Sequence, residues 1–175
     1  MRISGFEEES FVDGPGLRYV IFAQGCRHYC PKCHNQKTWD MEAGNEYTVK
    51  QIIRIISKQN KTTYEKKKKG FYQGVTLSGG EPFLQAEELA QVAAAAHQIG
   101  WDVVTYTGYT YEELIELTDN DNNIKSLLYE TDILIDGKYV REKRDTGLPF
   151  RGSSNQRIID VIKTINEGKI VLSRL

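Results

Sequence analysis

The sequence lacks an excess of charge of either sign. Its 23 lysines and arginines nearly balance its 24 aspartates and glutamates, and the formal net charge is -1 with the histidines neutral. A protein that is drawn to nucleic acid or to anionic lipid by long-range attraction needs a strongly positive balance. We therefore expect neither nucleic acid nor a membrane surface as a partner.

Long hydrophobic runs are also missing, since no apolar stretch approaches the roughly 18 residues of a membrane span. The first ten residues carry three consecutive glutamates and no apolar core, which is not the pattern of a secretory signal. These absences predict a cytoplasmic protein. A chain of 175 residues has the size of one ordinary domain, so we expect residues 1–175 to form a single unit.

Cysteine is scarce, and all three cysteines fall within eight consecutive residues, at Cys26, Cys30 and Cys33. An odd number of closely spaced thiols does not fit a framework of paired disulfides and indicates metal or redox chemistry. Gly25 before this loop and Pro31 within it help to set a fixed turn.

What the sequence does contain is an alternation of strand and helix patterns. Apolar, β-prone segments predict strands at 17–23, 75–77, 102–106 and 131–135, and helical spacing predicts helices at 48–59, at 87–98 and after Thr110. The alternation predicts an α/β fold with a mostly parallel sheet, whose sites lie at the carboxyl ends of the strands. We expect the charged segment 61–70 to be a loop, and 157–165 fits either a strand or a helix.

Two motifs fall at such strand ends. The cysteine loop follows the first predicted strand, and Ser78-Gly79-Gly80-Glu81-Pro82 follows the second, where paired glycines let a ligand approach the backbone. A [4Fe-4S] cluster usually takes four cysteine thiolates, one for each iron. Because this chain offers only three, one iron would stay open to a small molecule, which favours a catalytic cluster.

Structural zinc is the alternative for the same cysteines. A Cys₃His site would add His28 or His34 to the three thiolates. His34 directly follows Cys33, which makes it an awkward ligand in the same tetrahedron. A chain with such a site would be a non-catalytic zinc-binding interaction module.

The cysteine spacing CxxxCxxC together with the glycine-rich motif resembles the radical S-adenosylmethionine superfamily. The resemblance implies a partial, open β/α barrel and an oxidoreductase that cleaves S-adenosylmethionine reductively to a 5′-deoxyadenosyl radical. It also implies the ligands of both cofactors. The [4Fe-4S] cluster would be bound by Cys26, Cys30 and Cys33, and the S-adenosylmethionine by Ser78, Gly79, Gly80, Glu81 and His34.

A longer set of residues is similar to the glycyl-radical-enzyme activases within that superfamily, namely 13–18, Phe22, 25–26, 33–35 and 38–40. Three further features resemble the activases of anaerobic ribonucleoside-triphosphate reductase: His28, 105–110 and 152–157. This resemblance implies that the large subunit of that reductase receives a glycyl radical, with a flavodoxin-type protein as electron donor. An activase of another glycyl-radical enzyme, of the pyruvate formate-lyase type, is the alternative.

One position departs from the superfamily pattern. Many members carry an aromatic residue near the adenine, immediately before the third cysteine, whereas this chain has Lys32. The candidates to take over that contact are Tyr29, His34 and Tyr106. Arg18 and the segment 153–157 are further candidates to touch the partner. Asp136 is a candidate to contact a ligand or a cation, the alternative being an ordinary turn residue at the end of a strand.

Overall fold

In the computed structural model, which describes residues 1–67 and 72–175, seven strands form one sheet in the order β3-β1-β2-β4-β5-β6-β7. The central strands β2, β4, β5 and β6 are parallel, and β1, β3 and β7 are antiparallel to their neighbours. The strands are β1 Arg2–Ser10, β2 Arg18–Ala23, β3 Asn45–Glu46, β4 Gly74–Gly79, β5 Asp102–Tyr106, β6 Ile133–Asp136 and β7 Arg157–Asp160.

The same described ranges hold five α-helices. They are α1 Val49–Lys67, α2 Ala86–Gln98, α3 Tyr111–Thr118, α4 Asn122–Tyr129 and α5 Val161–Glu167. Helix α2 connects β4 to β5, and α3 with α4 connects β5 to β6, so the predicted α/β fold with a mostly parallel sheet is confirmed. The sheet is open, with β3 at one edge and β7 at the other. None of the helices within the described ranges is both long and apolar enough to cross a membrane.

Helix α2 shows why these segments are helical. Its buried residues Leu89, Val92, Ala93 and Ala96 recur at helical spacing and form one apolar face that packs into the main core. Helix α3 begins with a capping box formed by Thr110 and Glu113. The Thr110 hydroxyl accepts from the Glu113 backbone N–H at 3.2 Å, and the Glu113 carboxylate accepts from the Thr110 N–H at 2.7 Å.

The two faces of the sheet have different covers. Side chains alternate between the faces along each strand, so Leu134 joins the large core under the helices and Ile135 joins a small cluster on the opposite face. Phe150, from the long connection between β6 and β7, packs against that small cluster. The helix-free face is therefore covered by loops, and the loops leave room for a site.

Three segments differ from the sequence-based expectations. Strand β1 was missed because its exposed glutamates look like loop. Strand β3 pairs with β1 at Arg2 and Ile3, and the glutamates lie beyond that pairing, where charge opposes pairing with other chains. The predicted loop at 61–70 is wrong for 61–67, which continue α1; lysine and glutamate are good helix formers. The rest of that segment lies outside the described residues. The ambiguous segment 157–165 holds both β7 and the start of α5, whose N-cap is Asp160.

Candidate functional site

A cavity of about 670 Å³ opens at the carboxyl ends of the central strands, on the helix-free face. This is the edge at which parallel sheets usually place their sites. The loop after β2, the turn after β4, the end of β5 and the β6–β7 connection contribute its walls. Its lining includes all three cysteines with His34 and Asn35, residues 78–80, residues 106–108, Tyr139 and residues 146–152.

The cysteine loop is closed on itself by backbone hydrogen bonds. The N–H of Gly25 donates to the carbonyl of Thr38 at 2.8 Å, and the N–H of Cys26 donates to the carbonyl of Trp39 at 3.2 Å. Within the loop, the N–H of Cys33 donates to the carbonyl of Cys30 at 3.0 Å. These bonds gather the three free thiols on one compact turn.

Two residues of this loop lie in the left-handed region of the backbone map. Tyr29 has a φ of 49° and Lys32 a φ of 60°, and each immediately precedes a cysteine. A non-glycine residue in this region costs on the order of 1–3 kcal/mol and persists only where surrounding contacts enforce it. The shape of the cysteine loop is therefore imposed by its neighbours rather than by local preference.

The glycine-rich turn after β4 is the main neighbour of the loop. The N–H of Gly80 donates to the carbonyl of Ala23, and the N–H of Glu81 donates to the carbonyl of Gly25, both at 2.8 Å. A Cβ at Gly80 would lie 2.2 Å from the Gly25 carbonyl oxygen, and Gly79 has a φ of +94°. Only glycine fits this close approach, so the two motifs form one structural unit.

The carboxylate of Glu81 is bound entirely by protein groups. Its side chain is 1% exposed, and Oε1 accepts from the N–H of Phe83 at 3.0 Å. Oε2 accepts from the N–H of Gly108 and from Nε2 of His28, both at 2.8 Å, and the Thr107 hydroxyl lies 3.0 Å from both oxygens. These donors fill the acceptor capacity of a carboxylate.

The other four residues predicted to bind S-adenosylmethionine, Ser78, Gly79, Gly80 and His34, line the cavity. Glu81 belongs to the same turn but is held behind the lining by the hydrogen bonds to protein groups. The structure thus brings the five predicted residues together. Four of them line the cavity, and Glu81 supports the turn from behind.

Burial controls the acidity of Cys26 and Cys30. It raises the pKa of Cys26 to about 11; a backbone hydrogen bond at His28 lowers that pKa, and the negative charge of Glu81 raises it. Burial also raises the pKa of Cys30, with a backbone hydrogen bond at Tyr139 acting in the opposite direction. Metal ligands must be thiolates, so metal binding here must release protons.

The donor set fits an iron–sulfur cluster. Three free cysteines line one cavity, and thiolates are the usual ligands of such a cluster.

The structure distinguishes between the three residues predicted to contact the adenine in place of an aromatic residue at Lys32. Tyr29 is 59% exposed, packs edge-on against Trp39 with 5.3 Å between ring centroids, and is not among the residues that line the cavity. His34 and Tyr106 both line the cavity. Sequence reasoning missed Tyr139, whose ring centroid lies 5.2 Å from that of His34. Its distance from both motifs along the chain gave no signal.

Two expectations about charged residues are wrong. Arg18 is fully buried, where it donates to the Thr76 hydroxyl at 2.7 Å and pairs with Asp102 at 2.6 Å, so it cannot touch a partner. Asp136 is 1% exposed and accepts from Nε of Arg157 at 3.0 Å and from the N–H of Tyr111 at 2.8 Å. It therefore anchors an ion pair rather than a ligand or cation.

Comparison with known proteins gives a consistent result. The family of 4Fe-4S single cluster domains matches residues 12–159. The chain is 36% identical over 152 residues to the anaerobic ribonucleoside-triphosphate reductase-activating protein of Vibrio cholerae. This alignment covers 84% of this chain and 90% of the relative. Proteins of the same name from Escherichia coli strain K12 and bacteriophage T4 are 35% identical over 150 residues and 33% identical over 152 residues. These matches cover 83% and 85% of this chain, and 89% and 86% of the relatives.

Proposed function

The chain belongs to the family of anaerobic ribonucleoside-triphosphate reductase-activating proteins, and from this premise we propose that it is a radical S-adenosylmethionine enzyme. When bound, a reduced [4Fe-4S] cluster supplies one electron that splits S-adenosylmethionine into methionine and a 5′-deoxyadenosyl radical, which takes a hydrogen atom from a glycine of the reductase. The open sheet then serves as the partial barrel of that superfamily, and residues 1–175 work as one activase domain.

Cys26, Cys30 and Cys33 would hold the cluster. The observation that carries this proposal is that one compact, backbone-closed loop presents three free thiols to the same cavity as the glycine-rich turn. With no fourth cysteine in the chain, the three thiolates would leave one iron of the cluster open to the cosubstrate.

The turn after β4 and two aromatic rings would hold the cosubstrate. Ser78, Gly79 and Gly80 line the cavity, and the missing side chains of the glycines let a ligand reach backbone groups. His34 and Tyr106 also line the cavity, and we propose their rings as the contacts of the adenine. Glu81 contributes by holding the turn in place.

The mouth of the cavity suits a macromolecular substrate. Phe11 and Val12 line it while 68% and 76% exposed, and exposed apolar residues at a site entrance are typical of a protein-binding surface. The partner would insert a loop with a glycine, whose Cα is accessible because it carries no side chain. We propose the large subunit of the anaerobic reductase as this partner and a flavodoxin-type protein as the electron donor.

The direct test uses anaerobically reconstituted protein with dithionite and S-adenosylmethionine. We expect 5′-deoxyadenosine and methionine in equal amounts, and a glycyl-radical signal by electron paramagnetic resonance after the reductase large subunit is added. A colourless protein that binds zinc and never takes up iron and sulfide would contradict the proposal. A radical formed on pyruvate formate-lyase but not on the reductase would identify a different activase.

A further inference from the structure

His28 lies between the first two cysteines along the chain, but its imidazole is held by another part of the protein. Its Nε2 donates to Glu81 Oε2 at 2.8 Å, and the side chain is 8% exposed. The ring also packs edge-on against Tyr109, with 4.5 Å between centroids. These two contacts join the ring of His28 to residues outside the cysteine loop.

The end of β5 completes this arrangement. The N–H of Gly108 and the hydroxyl of Thr107 donate to the same Glu81 carboxylate that His28 contacts. Three segments therefore meet on one buried carboxylate: the cysteine loop, the glycine-rich turn and the residues after β5. The cysteine loop cannot shift against the turn without breaking a buried, charge-assisted hydrogen bond.

Gly108 shows that the imidazole fits closely into this place. A Cβ at Gly108 would lie 2.3 Å from Cδ2 of His28 and 2.6 Å from its Nε2. Real Cβ atoms do not approach other atoms so closely, so any side chain at Gly108 must displace the ring. The backbone after β5 is thus shaped around His28.

We propose that His28 and Glu81 form a latch that fixes the cysteine loop in register with the turn proposed to bind S-adenosylmethionine. Glu81 is a positioning residue, and His28, which also lines the cavity, acts as one through Glu81; the importance of the latch for the reaction rests on the proposed function. Because the carboxylate has no free acceptor site, Glu81 supports the turn from behind and does not itself bind the cosubstrate. Partners that orient metal ligands typically change affinity or activity by roughly 10- to 100-fold when they are removed.

The first experiment needs neither cluster nor cosubstrate. In the metal-free full-length protein, the rate of iodoacetamide labelling of Cys26 and Cys30 reports how well the loop is held, because both thiols are nearly buried. His28→Leu removes the donor, and Gly108→Ala displaces the ring. We expect each change to raise the labelling rate of both thiols above that of the wild-type protein, because a loop that is held less firmly opens more often.

Two matched controls separate the latch from general effects of substitution. His97→Leu makes the same change at a partly exposed histidine that pairs with Glu130 and Asp132. Gly5→Ala adds a methyl group where nothing lies within 4 Å. Both variants should label at the wild-type rate. Wild-type labelling in His28→Leu and Gly108→Ala would overturn the latch.

The second experiment uses the reconstituted holoenzyme. His28→Gln retains an N–H donor near the position of Nε2, whereas His28→Leu does not. We expect His28→Leu to raise KM for S-adenosylmethionine about tenfold and to weaken the change that the cosubstrate causes in the cluster's paramagnetic resonance spectrum; His28→Gln should restore both.

The outcomes distinguish the two proposals. If wild-type protein fails to cleave S-adenosylmethionine while His28→Leu still labels faster, the proposed function is wrong and the latch stands. If the wild-type protein is active and His28→Leu matches it in labelling, KM and spectrum, the latch is wrong. If circular dichroism shows that His28→Leu is unfolded, Glu81→Gln replaces it and must show the same labelling and spectral changes for the proposal to survive.

Discussion

The same strands form both faces of the sheet, but one face is stabilised by apolar burial and the other by directed hydrogen bonds. Under the helices, aliphatic side chains such as Leu77, Leu89 and Leu134 form one continuous buried core. On the cavity side, buried polar groups such as Arg18 and Glu81 take part in directed hydrogen bonds to neighbouring strands and turns. The helix-covered face therefore supplies stability, and the cavity face supplies geometry.

The difference between the faces predicts which substitutions affect activity and which affect folding. An aliphatic core loses free energy of unfolding when volume is removed, with little effect on distant geometry. In a network of directed hydrogen bonds, the remaining groups shift from their positions when one member is replaced. Four variants test this division, beginning with the largest expected effect.

Cys30→Ala should abolish S-adenosylmethionine cleavage, because it removes one of three proposed cluster ligands. Cys30 is small and lies on a loop, so the thermal midpoint of the metal-free protein should stay within a few degrees of wild type. Iron content, product formation and circular dichroism measure the three quantities. An active Cys30→Ala protein under strict anaerobiosis would remove this loop from the site.

Leu89→Ala should have the opposite profile. Leu89 is fully buried on α2, so its truncation should lower the free energy of unfolding by about 2–5 kcal/mol. At a temperature where the variant is still folded, its cleavage rate per folded molecule should equal that of wild type. Urea unfolding and product assays check both, and a loss of activity in the folded variant would show that the two faces are not independent.

Gly80→Ala should weaken cluster binding and cosubstrate binding together. Its Cβ would collide with the carbonyl of Gly25, the residue before Cys26, so the cysteine loop must move. Overpacking of this kind costs about 1–3 kcal/mol, which corresponds to roughly 5- to 150-fold in affinity. Iron retention during dialysis and equilibrium binding of S-adenosylmethionine measure the two effects. Gly5→Ala is the control, and a cluster retained at the wild-type level would refute the coupling.

Glu112→Gln tests an ion pair at the edge of the cavity face and should have the smallest effect. The hydrogen bond from Arg157 lowers the pKa of Glu112 to about 2, against an opposing effect of burial. Because the folded pKa is depressed, the pair stabilises the protein above the ordinary carboxyl pKa, and this contribution is lost as pH falls towards 2. Glu112 is 56% exposed, so the effect at neutral pH should be only about 0.2–1 kcal/mol.

Urea unfolding at pH 7 and at low pH measures this difference. The variant should be slightly less stable than wild type at pH 7, and the two proteins should converge as the solution is acidified. Thr118→Ser, a conservative change at the end of the same helix, is the control. Equal stability of wild type and Glu112→Gln at every pH would show that the ion pair contributes nothing measurable.

Much of the architecture was predictable because local patterns determine it. The parallel strands and α2 follow from apolar periodicity, and the capping box at Thr110 follows from its spacing. Strand β1 was not predictable in this way, because its glutamates belong to a strand that only the pairing with β2 creates. The start of β7 is defined by its antiparallel pairing with β6, which is also a long-range contact.

The candidate site also combines features that short segments encode with contacts between distant residues. The cysteine spacing and the glycine-rich motif were visible in the sequence because each is a short segment with its own chemistry. The burial of Arg18, the ring of Tyr139 at the cavity and the bond between His28 and Glu81 join residues far apart in the chain. No local pattern records such pairs.

The sequence by itself determined the type of fold, the three candidate cluster ligands and the glycine turn, because periodicity and motif spacing act over a few residues. Only the tertiary structure decided which residues face the cavity and which hold it from behind. The physical reason is that a buried carboxylate such as that of Glu81 must find donors wherever the fold brings them, and the fold brings them from three separate segments.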